Sequence, residues 1–230
     1  MQINISQCLL CNLPESLPRR ICTACLDSLP WLQHACLGCG LELPRSALHE
    51  GRCGNCLSTP RRRHQYCQSA LHYDCPVDWL IARFKFRADF ACGVVLASLL
   101  AQRLQSFYEE LQRLIIPVPL HSQRLRERGY NQAAELARRL SKTLSIDLRQ
   151  DVLFRIRPTS KQSELGSRRA RAQNMRGAFH ADVSRLTQVD RVILLDDVIT
   201  TMSTIEAARE ALLKAGISRV DAWSVARVTA

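Results

Sequence analysis

The chain has 230 residues, 47% of them hydrophobic, and a formal net charge of +11, enough for one domain of ordinary size with a small appendage and a packed core. Its start, MQINISQC, has no basic region leading into an apolar stretch, and its longest apolar run, 94–101 with one serine, falls far below membrane-spanning length; secretion and an integral membrane segment are not expected, and a cytoplasmic protein is. Charge is uneven, since residues 1–60 balance four arginines against four acids while residues 113–176 set fifteen lysines and arginines against five acids, a net +10 that points to a polyanionic partner, with a solvated surface as the plainer reading.

Eight of the eleven cysteines form four C-x-x-C pairs, Cys8/Cys11, Cys22/Cys25, Cys36/Cys39 and Cys53/Cys56. Such a turn aims two thiolates at one tetrahedral ion, and the intervening loops of ten and thirteen residues suit ribbon-like modules, so two structural Zn2+ sites follow. Disulfides are disfavoured because nothing indicates an oxidising compartment, and redox chemistry because four matched pairs exceed what it needs. Sequential pairing closes short loops, whereas an interleaved cross-brace uses the same residues; both stay open. Gly38, Gly40 and Gly54 lie in or beside the third and fourth pairs, where tight turns bring N–H groups toward sulfur. So short a segment, with little apolar content, has no core of its own, and metal supplies much of its folding free energy, on the order of 10 kcal/mol per site. Cys67, Cys75 and Cys92 read as small buried apolar residues. The tract 60–64 reads as a linker, dividing a double zinc ribbon (1–60) from the remaining domain (61–230).

That domain opens with strand-like character from Tyr66 to Tyr73. Val77, Leu80, Ile81 and Phe84 then mark one face of a helix starting at Pro76 and closed by Lys85 and Arg87. A second helix is predicted from Phe90 to Leu111. Leu114 to Val118 is a short buried strand, followed by a strongly basic loop and a helix with Ala133, Leu136, Ala137, Leu140 and Leu144 on one face and Asn131 as N-cap.

Residues 117–132, PVPLHSQRLRERGYNQ, closely resemble the P-V-P-x-x-x-x-R-x-x-x-R-G-[FY]-N-Q signature of the ComF family. The resemblance implies that Arg124, Arg128 and Asn131 lie near the pyrophosphate side of a phosphosugar site, which suits arginine as a bidentate phosphate partner. His121 reads as a loop cap and not as a catalytic base. Val152, Phe154 and Ile156 alternate as a strand. The polar stretch from Arg157 to Phe179 again matches the family pattern, with Gln162, Arg169 and Asn174 in register. A long basic loop there serves as a lid in an enzyme or as a strand-binding surface in a nucleic-acid protein. Arg126, Arg168, Arg169, Arg171 and Arg176 are the candidate contacts to single-stranded DNA.

The organising stretch is 192–204, VILLDDVITTMST. Four apolar residues make a buried strand, Asp196 and Asp197 follow at its end, and a hydroxyl-rich turn enters a helix with Ile205, Ala208, Leu212 and Ala215 on one face and Gly216 at its end. Ligands of open α/β sheets sit outside the carboxyl ends of the strands, where turn N–H groups and a helix start favour phosphate. Carboxylates beside that cradle would repel the anion unless they serve sugar hydroxyls or a metal, so a phosphorylated sugar satisfies both halves. The bland reading is a doubly wound fold with ordinary capping. The run LLDDVITTMST closely resembles the phosphoribosyl-pyrophosphate (PRPP) signature of type I phosphoribosyltransferases. By resemblance Asp196 and Asp197 face the ribose 2- and 3-hydroxyls, and Thr200, Thr201, Ser203 and Thr204 cradle the 5-phosphate. Met202 stands where that pattern has glycine; it is expected to narrow or strain the cradle, unless the turn has ordinary φ/ψ and the side chain packs outward. Val220 to Val225 adds a last strand.

The expected fold is α/β, a type I phosphoribosyltransferase-like parallel sheet flanked by helices, with an N-terminal double zinc ribbon. The family resemblance implies a cytosolic role in DNA uptake or utilisation, as in natural competence, with single-stranded DNA, PRPP and uptake-machinery proteins as partners. The alternatives are an active phosphoribosyltransferase in nucleotide salvage, using Mg2+ on the pyrophosphate and carboxylates near a cationic ribosyl transition state, and a PRPP sensor. No base-recognition element is identifiable.

Overall fold

A nine-residue strand that is apolar on both faces needs a layer of structure on each side of it. In the computed structural model, which describes residues 6–15, 20–60, 65–105, 114–158, 168–184, 186 and 189–229, that strand lies in the middle of a five-stranded sheet. In chain order, the short strands β1 (Ser6–Gln7) and β2 (Pro14–Glu15) pair antiparallel, and helix α1 (Thr23–Asp27), a 3-10 turn (Arg45–Glu50) and α2 (Gly54–Ser58) complete the N-terminal part. Then come β3 (Cys67–His72), α3 (Val77–Arg87), α4 (Phe90–Gln105), β4 (Leu114–Pro117), α5 (Ser122–Arg128), α6 (Gln132–Leu144), β5 (Asp147–Leu148) and β6 (Leu153–Arg155). The chain closes with α7 (Arg168–Met175), β7 (Phe179–Ala181), β8 (Arg191–Ile199), α8 (Ser203–Lys214) and β9 (Arg219–Arg227). The sheet order is β3-β9-β8-β4-β5 with every pair parallel, while β6 and β7, with α7 between them in the chain, form a separate antiparallel pair.

Residues of β8 alternate between two cores. Ile193 and Leu195 face the layer made by α3, α4 and α6, and Val192 and Leu194 face α8 and the β6–β7 pair. This two-sided burial is why the strand reads as an unbroken apolar run. On α3 the expected face is buried, and so are Leu136, Ala137 and Leu140 on α6. The expected α4 ends at Gln105, with 106–111 outside the described residues. Three expectations change. The strand written as Val192 to Leu195 runs on to Ile199, because β9 pairs with it as far as Ile199↔Arg227. The basic loop after β4 contains α5, capped by His121, whose Nδ1 accepts from Gln123 N at 3.3 Å. The polar stretch before Phe179 contains α7, and 159–167 lies outside the described residues.

The N-terminal part is seated on the sheet. Leu32 N donates to Ala70 O at 3.0 Å and His72 N to Pro30 O at 2.9 Å, so residues 30–32 run antiparallel along β3 and cover what would be a free sheet edge. Cys8, Ile21, Cys22 and Leu29 join the α3–α4–α6 core, whereas Cys36, Cys39, Leu43 and Cys56 join the core on the other face. Both cysteine groups therefore borrow the main domain's apolar surface. Cys67 and Cys92 are buried as expected, but Cys75 is exposed, in the surface turn that precedes α3.

Candidate functional site

The β4 ladder stops at Pro117↔Leu195, whereas β8 continues to Ile199 along β9. From Asp196 onward one flank of β8 therefore projects past its shorter neighbour at the carboxyl end of the parallel sheet, where such folds open a crevice. A cleft of about 900 Å³ lies there. Asp196, Asp197, Thr200 and Thr204 line one side, and Arg124 and Arg128, one turn apart on the same face of α5, line another. Six of the nine residues expected to bind the phosphosugar thus converge. Thr201 and Ser203 lie in the same turn, their hydroxyl oxygens 2.9 Å apart.

Asn131 is placed differently. Its Oδ1 accepts from Ala133 N at 3.0 Å and its Nδ2 donates to Val118 O at 3.1 Å, so it caps α6 and ties it to the end of β4. Its neighbours explain the rest of that motif. The Tyr130 hydroxyl donates to the Phe84 carbonyl, joining the start of α6 to the end of α3. Gln132 accepts from Arg128 Nη1 at 2.6 Å and hydrogen-bonds Asp197.

The carboxylates are unlike each other. Burial and the adjoining Asp197 charge push Asp196 well above the ordinary carboxylate range. Burial acts on Asp197 too, but Lys85, whose Nζ is 2.7 Å from Oδ2, more than offsets it and holds Asp197 below its ordinary value. Burial likewise opposes the Lys85 charge, and Asp197 outweighs it, leaving the ammonium raised. The two acids are therefore pushed in opposite directions, Lys85 offsets acid charge in the cleft, and Arg87, Arg124, Arg128 and Arg155 line it against Glu127, the single further acid among its described residues. This answers how two acids sit beside a candidate anion cradle.

Lys85 and Arg155 were missed by sequence reasoning. Lys85 follows Val77 and Ile81 at i+8 and i+4, a charged residue on the buried stripe of its helix. That signal was present. Nothing local marks Arg155.

Met202 has φ 68°, the left-handed conformation that glycine adopts without cost. Its side chain, 2% exposed, packs into the α8-side core, with Sδ 4.0 Å from Cys67 Sγ. The backbone is thus strained as expected, but the side chain turns neither into the cleft nor outward.

Among the candidate strand-binding residues, Arg126 and Arg176 are exposed, and Arg168, Arg169 and Arg171 lie on α7. Arg155 of the preceding strand β6 lines the cleft, and Arg157 Nη2 donates to the carbonyls of Asn174 at 2.8 Å and Arg176 at 2.6 Å. The end of α7 is in this way fastened two residues along the chain from the cleft-lining Arg155.

The eight paired cysteines form two clusters, Cys8, Cys11, Cys22 and Cys25, and Cys36, Cys39, Cys53 and Cys56, each with its sulfurs within 4.8 Å of one another. Pairing is sequential. Cys11 Sγ and Cys22 Sγ are 3.7 Å apart, as are Cys39 Sγ and Cys53 Sγ, against an edge of about 3.8 Å for four thiolates around one zinc ion. Disulfide bonding would need about 2.05 Å. Cys22 N donates to Cys8 Sγ at 3.4 Å and Cys53 N to Cys36 Sγ at 3.2 Å, the knuckle arrangement that supports thiolate. A Cβ at Gly38 would come within 2.8 Å of Cys56 Sγ, so the third pair closes only around glycine.

No protein-family model matches the chain. It is 36% identical over 219 residues to Competence protein F of Haemophilus influenzae, covering 90% of each chain. It is 31% identical over 225 residues to DNA utilization protein YhgH of Salmonella typhimurium, covering 96% of each, and 25% identical over 207 residues to Competence protein ComFC of Streptococcus pneumoniae, covering 84% of this chain and 88% of that one. Among solved structures, adenine phosphoribosyltransferase from Leishmania donovani matches at 12% identity and a TM-score of 0.34 over 72% of this chain and 86% of that one, a similarity too low to carry a fold assignment.

Proposed function

The chain belongs to the ComF family of competence and DNA utilization proteins, and on that premise we propose that it handles single-stranded DNA in the cytoplasm during DNA uptake, with a PRPP-type phosphosugar site at the end of β8. The observation that carries this reading is the shared cleft. The acids of β8, the hydroxyl turn and two arginines of α5 converge there, and Arg157, two residues after the cleft-lining Arg155, fastens the end of α7 beside it. In this reading 61–230 is a type I phosphoribosyltransferase-like unit and 1–60 a double zinc ribbon, each cysteine cluster holding one zinc ion as a structural staple.

Asp196 and Asp197 would take the ribose hydroxyls. The N–H groups and hydroxyls of 200–204 would take the 5-phosphate, and Arg124 and Arg128 the pyrophosphate. Mg2+ bound with PRPP would neutralise pyrophosphate charge. A strand of DNA lacks the ribose 2-hydroxyl, so its contacts fall to Arg168, Arg169 and Arg171 of α7 and to the exposed Arg126 and Arg176, through phosphate and independently of sequence. Proteins of the uptake machinery are the expected partners.

A second reading, an active phosphoribosyltransferase in nucleotide salvage, draws on the acid pair of β8, positioned by the Lys85–Asp197 contact in the cleft where ribosyl charge would develop. The deciding experiment measures labelled oligo(dT) binding by anisotropy and incubates labelled PRPP and Mg2+ with a panel of bases. Salt-sensitive DNA binding without nucleotide product supports DNA handling. Nucleotide formation without DNA binding replaces it with the enzyme reading.

A further inference from the structure

A turn that aims its N–H groups at an anion carries its carbonyl oxygens on the opposite side, and where that side is buried they need donors. Where β8 enters the 200–204 turn, Arg227, at the end of β9 and 2% exposed, supplies such donors beside Val228 N, which donates to the Ile199 carbonyl at 3.0 Å. Arg227 Nη1 donates to the carbonyls of Ile199 at 2.9 Å and Val228 at 2.8 Å, and to that of Thr200. Its Nε donates to the Cys39 carbonyl at 2.9 Å. One planar, rigid fork therefore joins the exit of β8 to the knuckle that bears two ligands of the second cysteine cluster. Gly40, next to Cys39, takes the left-handed φ of +69°, and a Cβ there would crowd Cys67 Sγ at 3.2 Å while standing in ordinary contact, 3.6 Å, with Arg227 Cδ.

A second link lies alongside. Cys67 N donates to Leu37 O at 2.8 Å, inside the same knuckle, and Cys67 Sγ reaches Met202 Sδ at 4.0 Å. The first cluster packs in the core on the other face of the sheet.

We propose that Arg227 is a positioning residue that couples the Cys36–Cys39–Cys53–Cys56 metal cluster to the hydroxyl turn, so that the ion in this cluster and phosphate on the turn favour each other's binding. The proposal rests on the phosphosugar reading of the turn given above. With the ion held, the four thiolates lock the knuckle, the Cys39 carbonyl is fixed, and Arg227 keeps the Ile199 and Thr200 carbonyls turned away from the cleft. With the ion gone, the knuckle relaxes and the guanidinium loses its anchor. Coupling of this kind is reciprocal, so phosphate binding at the turn tightens the second cluster's hold on its metal by the same factor.

The test uses the full chain loaded with cadmium in both clusters, ribose 5-phosphate as probe, calorimetry for affinity, and cadmium NMR with each resonance assigned through its cysteine β protons. Ribose 5-phosphate should move the second cluster's resonance and leave the first in place. Arg227→Gln should retain two cadmium ions per chain, lose affinity for ribose 5-phosphate by about tenfold or more, and abolish the resonance shift; Arg227→Lys, which keeps the charge but not the fork, should lie between. An unmoved second resonance at saturating ribose 5-phosphate overturns the coupling alone, as does wild-type affinity in Arg227→Gln. If that variant does not fold, the resonance in the wild-type protein decides. Absence of any ribose 5-phosphate binding by the wild type sinks the phosphosugar reading, and the coupling with it.

Discussion

Lys85→Met tests whether the cleft is built around a buried ion pair. Methionine keeps the length and apolar stem of the side chain and removes the charge. Asp197 is then left with a side chain 4% exposed and without the ammonium that sat 2.7 Å away, itself only 25% exposed. Removing one partner of a buried pair costs roughly 3 to 5 kcal/mol, because the other charge stays uncompensated; water reaches the lysine end, so about 3 kcal/mol is expected near pH 7. The pH dependence has a definite sign. Asp197 is depressed below its ordinary value of 3.8, so its contribution is present above that value and is lost as pH falls through the folded pKa. Lys85 is raised above its ordinary 10.5, so its contribution is present below that value and is lost as pH rises through the folded pKa. In Lys85→Met, burial lifts Asp197 instead, and the carboxyl takes up a proton as the solution is acidified. The stability gap between wild type and variant should therefore be widest at neutral pH and shrink toward pH ~4. Urea unfolding by circular dichroism at several pH values measures it. Adding Asp197→Asn to Lys85→Met should recover part of the loss. A gap that is constant across pH, or a double variant as unstable as the sum of the singles, would refute the buried-pair account.

Elemental analysis of untagged protein should give two zinc ions per chain, and strong chelation should unfold the N-terminal part and expose the β3 edge, seen as loss of amide-exchange protection at Leu32 and His72; protection that survives complete demetallation would count against metal as the staple. Single-stranded DNA affinity should fall with salt at a slope of about −0.7 per phosphate neutralised, and replacing Arg168, Arg169 and Arg171 by alanine should flatten it; a salt-independent affinity would remove the basic surface from the interaction. Met202→Gly should relieve a left-handed residue by roughly 1 kcal/mol while losing a buried side chain worth about 2 to 5 kcal/mol, for a net destabilisation with PRPP affinity unchanged within about twofold. Tighter PRPP binding by the glycine variant would show that the side chain does obstruct the cradle.

Short-range chemistry was legible in the sequence. Two thiols in a C-x-x-C turn converge on one point whatever surrounds them, and four apolar residues leading into acids, hydroxyls and a helix place a polar site at a strand end. The helical faces of α3 and α6 were equally plain, because their periodicity is local. Long-range partnership decided the rest. Sequential cysteine pairing depends on where two loops meet the sheet, and the inclusion of Asp196 and Asp197 within β8 depends on β9 outrunning β4. Lys85 meets Asp197 across 112 positions of chain, and Arg227 meets Cys39 across 188. Met202 turns into the core because Cys67 stands there to receive it. A motif records which groups a few adjacent peptide units can present together; what neutralises, supports or shields those groups comes from strands and helices that only the folded sheet brings alongside.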